Sequence, residues 1–440
     1  MLFPYSRYVN SVSETCRRAA SGEEAPELFI TVYKEIILRV KKGARSYAFM
    51  LYSVLMREIY FDNSSTTRVS PAAAETVMRV MTEDYGNPSS LHKKGVDAEK
   101  YIKTSAQAIA KVLKVSESEI YFTSGGTEAN NWALIGGALA NRRAGSKIIT
   151  TKMEHPAVSE PLKLLAKEGF QVVGIDVDSQ GRLDLSQLER ELTPDVILIS
   201  MMYVNNEIGS VTPVHEIGKM KRQLCPKALY HIDAIQAFGK YRIYPREIGA
   251  DMLSVSGHKL HGPKGTGFLY KSERAKVLPL ILGGGQQSGL RSGTENVPGI
   301  AGLGIACEEA YRDLDESVAH MRALRERLCA GLSGMEGVVI HGMPGDEGAP
   351  HIVNAAFIGV GAEVLQHTLE DRGIYVSAGS ACSSHKRAGS PTLTAIGAPK
   401  EEMSSSIRMS FCALNTTWEV DQTLEVLREV VPMLRRYTRR

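Results

Sequence analysis

The stretch SAGSACSSHK, residues 377–386, sets Cys382 among residues too small to enclose a thiol in a side-chain core. A thiolate is a strong nucleophile toward sulfur, so such a setting points to transfer chemistry. More than a hundred residues upstream, SGHKLHGPKG places Ser256, Gly257, His258 and Lys259 directly after the apolar run MLSV. A lysine amine in that position is suited to condense with a carbonyl. Four other apolar runs end in polar groups. EIYFT is followed by SGGTEANN with Gly126 and Thr127, KIITT by His155, VILISMMYV by Asn205, Asn206 and Glu207, and ALYHI by Asp233 with Gln236 three residues on. Taken singly, each has a plain reading: a loop histidine, a helix-capping aspartate, a solvated lysine. Gly262 to Gly265 is not a nucleotide P-loop, because Pro263 separates Gly262 from Lys264. The weight lies in five run ends offering groups that suit one ligand.

That ligand is pyridoxal phosphate. Its aldehyde requires a lysine, its pyridinium nitrogen a carboxylate, and its phosphate a set of N–H and hydroxyl donors. A carboxylate facing the ring nitrogen keeps it protonated and makes the ring an electron sink. The turn opening at Gly126 would offer free helix N–H groups to an anion.

These residues need a scaffold that brings strand ends together. From Glu58 onward, strand-like runs at 59–62, 119–123, 147–151, 171–176, 196–204, 228–233, 252–257 and 265–270 alternate with amphipathic stretches such as 97–113. Such alternation predicts an α/β fold with a mainly parallel sheet covered on both faces, whose ligands bind at the carboxyl ends of the strands. A long helical stretch near 297–333 leads into VVIHG, IVNAAFIG, IYVSAG and SIRMSF, which read as a smaller C-terminal α+β domain. The division expected is 1–55 as an atypical extension, 56–315 as the large domain and 316–440 as the small one.

Composition narrows the rest. With 440 residues, 43% hydrophobic and 23% charged, the chain can bury more than one core. A net charge of +3 gives no electrostatic reason to expect nucleic acid as a direct ligand. Six scattered cysteines without a C-x-x-C pair suit a reducing compartment and offer no metal spacing. The apolar patch at 48–56 is too short for a membrane span. Glu14, Glu23, Glu24, Glu27 and Glu35 argue against a transit peptide, and residues 1–55 read as an appended helix or an upstream start with Met56 as the beginning. Cys307, Cys329 and Cys412 read as packing thiols.

The motifs YFDNSSTT, YGNPSSLH, FTSGGTEANN, EHPAV, VNNEIG, HIDAIQ, SGHKLHGPKG, RSGTENV, GSACSS and SSIRMSF, in this order from about Ile59 to the C-terminus, resemble those of cysteine desulfurases of the nitrogen-fixation and iron-sulfur-cluster type. These are fold type I enzymes within the class V aminotransferase group, and the resemblance implies a seven-stranded sheet and a homodimer. It implies that Lys259 holds the cofactor and that Gly126, Thr127, Ser256, Gly257 and His258 cradle its phosphate. Asp233 would face the pyridinium and Gln236 the ring hydroxyl. His155 would stack on the ring and move protons, with an ordinary histidine pKa suited to that work. Asn206 would lie by the ring and the substrate, and Arg408 of SSIRMS would grip the substrate carboxylate. Thr294 would reach the neighbouring subunit's phosphate. Cys382 would take sulfur from L-cysteine as a persulfide and pass it, in the cytoplasm, to an acceptor for cluster assembly or tRNA thiolation. A selenocysteine lyase, a cysteine sulfinate desulfinase or a catalytically silent scaffold of the same fold would share much of this pattern.

Overall fold

The computed structural model describes residues 58–378 and 389–438. The extension 1–55 and Cys382 lie outside the described residues. The chain divides into two units, Met1–Glu58 and Ile59–Arg440, and the three sheets of the described residues belong to the second.

The first strand, β1 (Ile59–Tyr60), stands apart from the main sheet. That sheet comprises β2 (Ile120–Thr123), β3 (Lys147–Thr151), β4 (Gln171–Ile175), β5 (Val196–Met202), β6 (Leu229–Asp233), β7 (Met252–Ser256) and β8 (Gly267–Lys271). Its order is β2-β8-β7-β6-β5-β3-β4, with β8 antiparallel to both neighbours and every other pairing parallel. All seven residues of β5 are buried, as expected of a continuous apolar run in the middle of a parallel sheet, whereas β4 at the edge is mostly half-exposed. Side chains alternate between two cores. Ile149, Ile199, Ile232 and Leu253 pack on one face, and Ile148, Leu198, Leu229 and Met252 on the other.

The helix expected over 97–113 runs from Lys93 to Leu113, opened by the His92 side chain accepting from Gly95 N and ended by Lys114 in the left-handed region at φ 56°. The stretch near 297–333 is two helices, Val297–Arg312 and Leu314–Ser333, broken at Asp313.

The C-terminal sheet joins β9 (Val338–His341), β10 (Ile352–Phe357), β12 (Ser377–Ala378) and β13 (Ser406–Ser410) in the order β12-β13-β10-β9. β1 pairs in parallel with β11 (Ile374–Tyr375), Asp62 bridges to Ser410, and Ile59 and Phe61 enter the C-terminal core beside Phe411. Residues 59–62 therefore run alongside the small sheet, which brings 62–67 between the two sheets. No periodicity announces this, because a two-residue ladder carries almost no pattern.

Candidate active site

Each of the five strand ends delivers its residue to the carboxyl edge of the main sheet. After β2, Gly125 takes φ +150°, a conformation side-chain-bearing residues avoid, and Gly126 opens a helix. A Cβ on Gly126 would stand 2.1 Å from Ile235 Cδ1 and 3.4 Å from Ser256 Cβ, so the turn is pressed against the ends of β6 and β7. Thr127 is exposed and Ser256 buried. Gly257 N donates to Thr266 O at 2.9 Å, fixing the start of the short Gly257–Lys259 helix.

Lys259, Gln236 and Arg408 come from three distant segments and meet at one turn. Lys259 Nζ donates to Ser64 O at 2.5 Å and Ser65 O at 2.6 Å. Gln236 Nε2 donates to Ser64 O at 3.0 Å. Arg408 Nη2 donates to Ser65 Oγ at 2.6 Å and pairs with Asp62 at 2.8 Å, while Nη1 donates to Asn206 O at 2.9 Å. Its buried Nε has no hydrogen-bond partner among the described residues. His258 is held to the same segment through Thr66 Oγ1 at 3.2 Å, and its carbonyl accepts from Thr67 N at 2.8 Å. Asp62, Ser64, Ser65 and Thr66 are the residues that reasoning from strand ends missed. Their signal was the motif YFDNSSTT itself, whose polar run follows a strand outside the main sheet.

Asp233 is fully buried, accepts from Asn130 Nδ2 at 2.7 Å and Ile235 N at 3.0 Å, and makes no ion pair among the described residues. Burial pushes its carboxyl up to about 6 against these hydrogen bonds and the Lys259 charge. A carboxyl so placed fits a group that brings positive charge to it. His155 caps the helix Pro156–Lys167, and its Nδ1 accepts from Ala157 N at 3.0 Å, which leaves the neutral ring's proton on Nε2. Burial, with Lys259 and Arg408 nearby, pushes His155 down to about 4, so the ordinary pKa expected from sequence is corrected: three positive or apolar influences disfavour the imidazolium. Burial and the Lys259 and Lys264 charges likewise take His258 to about 4. Thr294 is exposed and joins none of these residues within the chain.

The cysteines Cys225, Cys307, Cys329 and Cys412 are free and buried or half-buried, and burial raises each thiol, Cys225 to about 11. Such thiols are poor nucleophiles. Among the described residues no group of three or more His, Cys, Asp or Glu side chains is arranged to hold a metal, and no helix is long and apolar enough to cross a membrane.

Known proteins share this outline. The aminotransferase class-V family matches residues 59–423. The cysteine desulfurase IscS of Methanosarcina thermophila is 42% identical over 379 residues, covering 86% of this chain and 93% of the relative. A solved NifS-like protein superposes with a TM-score of 0.81 at 38% identity, over 86% of this chain and 100% of that one. The structure of SspA in complex with cysteine does so with a TM-score of 0.71 at 31% identity, over 81% and 100%.

Proposed function

Starting from a chain that belongs to the class-V aminotransferase family and is a cysteine desulfurase, we propose that it works with pyridoxal phosphate on Lys259, moves sulfur from L-cysteine to Cys382, and releases L-alanine. The observation that carries this reading is the meeting of Lys259, Gln236 and Arg408 at Ser64–Ser65, near the buried Asp233, whose carboxyl feels the Lys259 charge.

The residues fit the cofactor. Asp233 would face the ring nitrogen with Asn130 steadying its carboxyl, and Gln236 would turn to the ring hydroxyl. Gly126, Thr127, Ser256, Gly257 and His258 would hold the phosphate, at a turn with no room for a Cβ where backbone must approach closely. Pyridoxal phosphate, once bound, supplies the electron sink that acidifies the substrate's Cα–H and loosens its bond to sulfur.

The remaining work belongs to the chain. The Lys259 amine leaves the Ser64 and Ser65 carbonyls to hold the cofactor. His155 stacks as a neutral ring, presenting Nε2–H. Arg408 exchanges Ser65 and Asp62 for the substrate carboxylate, with Asn206 keeping Nη1 in place. The thiolate of Cys382 bonds to the substrate sulfur as the carbon–sulfur bond breaks, and the bonding pair passes to the carbon skeleton. That skeleton takes a proton and leaves as L-alanine, so L-cysteine plus thiol becomes L-alanine plus persulfide. A second copy supplies Thr294 to the phosphate, and the persulfide goes in the cytoplasm to an acceptor protein for cluster assembly or tRNA thiolation.

Alanine and persulfide are measured with purified wild type, Lys259→Ala and Cys382→Ala. Wild type is yellow and makes both products; Lys259→Ala loses colour and activity; Cys382→Ala stays yellow and makes no persulfide. A wild type left colourless by added cofactor, or a Cys382→Ala variant forming both products at the native rate, overturns the reading.

A further inference from the structure

Beside His155 lies a carboxyl that the desulfurase mechanism does not use. Glu154 is buried at the end of β3. Its Oε1 accepts from Thr151 Oγ1 at 2.8 Å, on its own strand end, and from Met202 N at 2.9 Å, the last residue of β5. Met202 is the register partner of Asp233 on β6. The Glu154 side chain thus crosses from the end of β3 to the end of β5, one strand short of Asp233. Its other oxygen, Oε2, is buried with no hydrogen-bond partner among the described residues.

That division between the two oxygens is informative. An ionised carboxylate spreads its charge and seeks donors at both oxygens, whereas a carboxylic acid accepts at its carbonyl oxygen and carries a proton on the other. Two donors converge on Oε1 and none among the described residues reaches Oε2, which leaves Oε2 the oxygen to carry a proton rather than unanswered charge. The surroundings agree. The titratable groups facing it are Asp233 and Tyr230 on β6, and no cation among the described residues pairs with it. Two buried carboxyls on nearby strand ends do not readily carry charge together. Burial and the Asp233 charge push Glu154 up to about 8, above the about 6 of Asp233, so the proton stays with Glu154.

We propose that Glu154 is a positioning residue held as a neutral carboxylic acid, tying together the strand ends that carry His155 and Asp233 and leaving Asp233 as the single buried anion of the site. The purpose of that arrangement rests on the proposed roles of His155 and Asp233 in the desulfurase reaction; the protonation itself does not. An ionised Glu154 would offer the ring proton a competing base and would weaken the directional pull of Asp233.

Infrared spectra at pH 7 test the protonation in the protein without substrate. Exposed carboxyls are ionised there, so wild type is expected to show a carboxylic-acid C=O band that is missing from Glu154→Gln. Gln keeps a neutral acceptor for Met202 N and Thr151 and a donor in place of the acid proton. Glu154→Gln is therefore expected to keep the cofactor's absorption and its kcat within about threefold of wild type, whereas Glu154→Leu, which strands the Met202 amide, loses cofactor loading by about tenfold or more. No difference between the wild-type and Glu154→Gln bands, or a folded Glu154→Gln with kcat down about a hundredfold, would overturn the proposal. Loss of persulfide formation in wild type itself would instead strike at the desulfurase function and leave the infrared result standing.

Discussion

A histidine titrating near 4 behaves differently from one near 6.5. His155 is neutral throughout the physiological range, and its protonation waits until pH falls to about 4. An acid limb in kcat/KM governed by this ring therefore falls near pH 4 in the free enzyme. The Arg408 charge is one cause of the depression, so Arg408→Met raises the His155 pKa toward the ordinary value, as read by NMR titration of the ring. An unchanged titration would remove Arg408 as a cause. The place of His155 beyond the end of β3 was legible because it follows a strand run. Its titration was not legible, since Lys259 and Arg408 come to it from 104 and 253 residues away in the sequence.

Elements position the site through contacts that pack strand ends against turns. The helix start at Gly126 has no space for one more carbon, and Gly126→Ala must displace Ile235, with a cost of about 1–3 kcal/mol from overpacking. Thermal melting measures that loss, and cofactor titration is expected to show weaker loading in the same variant. A second brace lies nearby. Arg291 Nε and Nη2 donate to Glu128 at 2.9 and 3.2 Å, and Glu128 accepts from Ser124 N at 2.8 Å. Gln287 bonds both the N–H and the C=O of Phe122 on the exposed edge of β2, at 2.6 and 2.9 Å. These bonds offset the strain of Gln287 and Ser288, which sit consecutively at φ 47° and 60°. Arg291→Met leaves Glu128 half-satisfied in a largely buried place, costs about 2 kcal/mol, and speeds amide exchange at Ser124. Exchange unchanged at Ser124 would mean that the brace carries no load.

Among the described residues, burial depresses five histidines: His155 and His258 to about 4, His231 to about 3 between Ser200 and Ser254, His351 far below its ordinary value, and His261 below it as well. Below pH 6.5 the unfolded chain binds protons at these rings more readily than the folded chain does, so their contribution is present above 6.5 and lost as pH falls toward 4. Asp233, Glu154 and Glu207 act in the opposite sense, because burial raises them, the first two to about 6 and about 8. The depressed histidines outnumber the raised carboxyls, so near pH 5 the unfolded chain binds more protons than the folded one and stability declines as pH falls. Denaturant unfolding at pH 6.5, 5.5 and 4.5 is expected to show this decline. A flat profile would mean that the buried histidines are protonated in the folded protein.

The sequence by itself determined the sheet and the strand ends at which the proposed site residues stand. An all-buried strand such as β5 and a strand-end residue such as Asp233 are written in local runs of apolar side chains, and local pattern survives without the fold. Only the tertiary structure decided that 59–62 leaves the main sheet to pair with β11. It thereby brings Ser64 and Ser65 under Lys259, Gln236 and Arg408. It decided the proton positions too, because desolvation and Coulomb forces act through space, between groups that the chain separates by hundreds of residues.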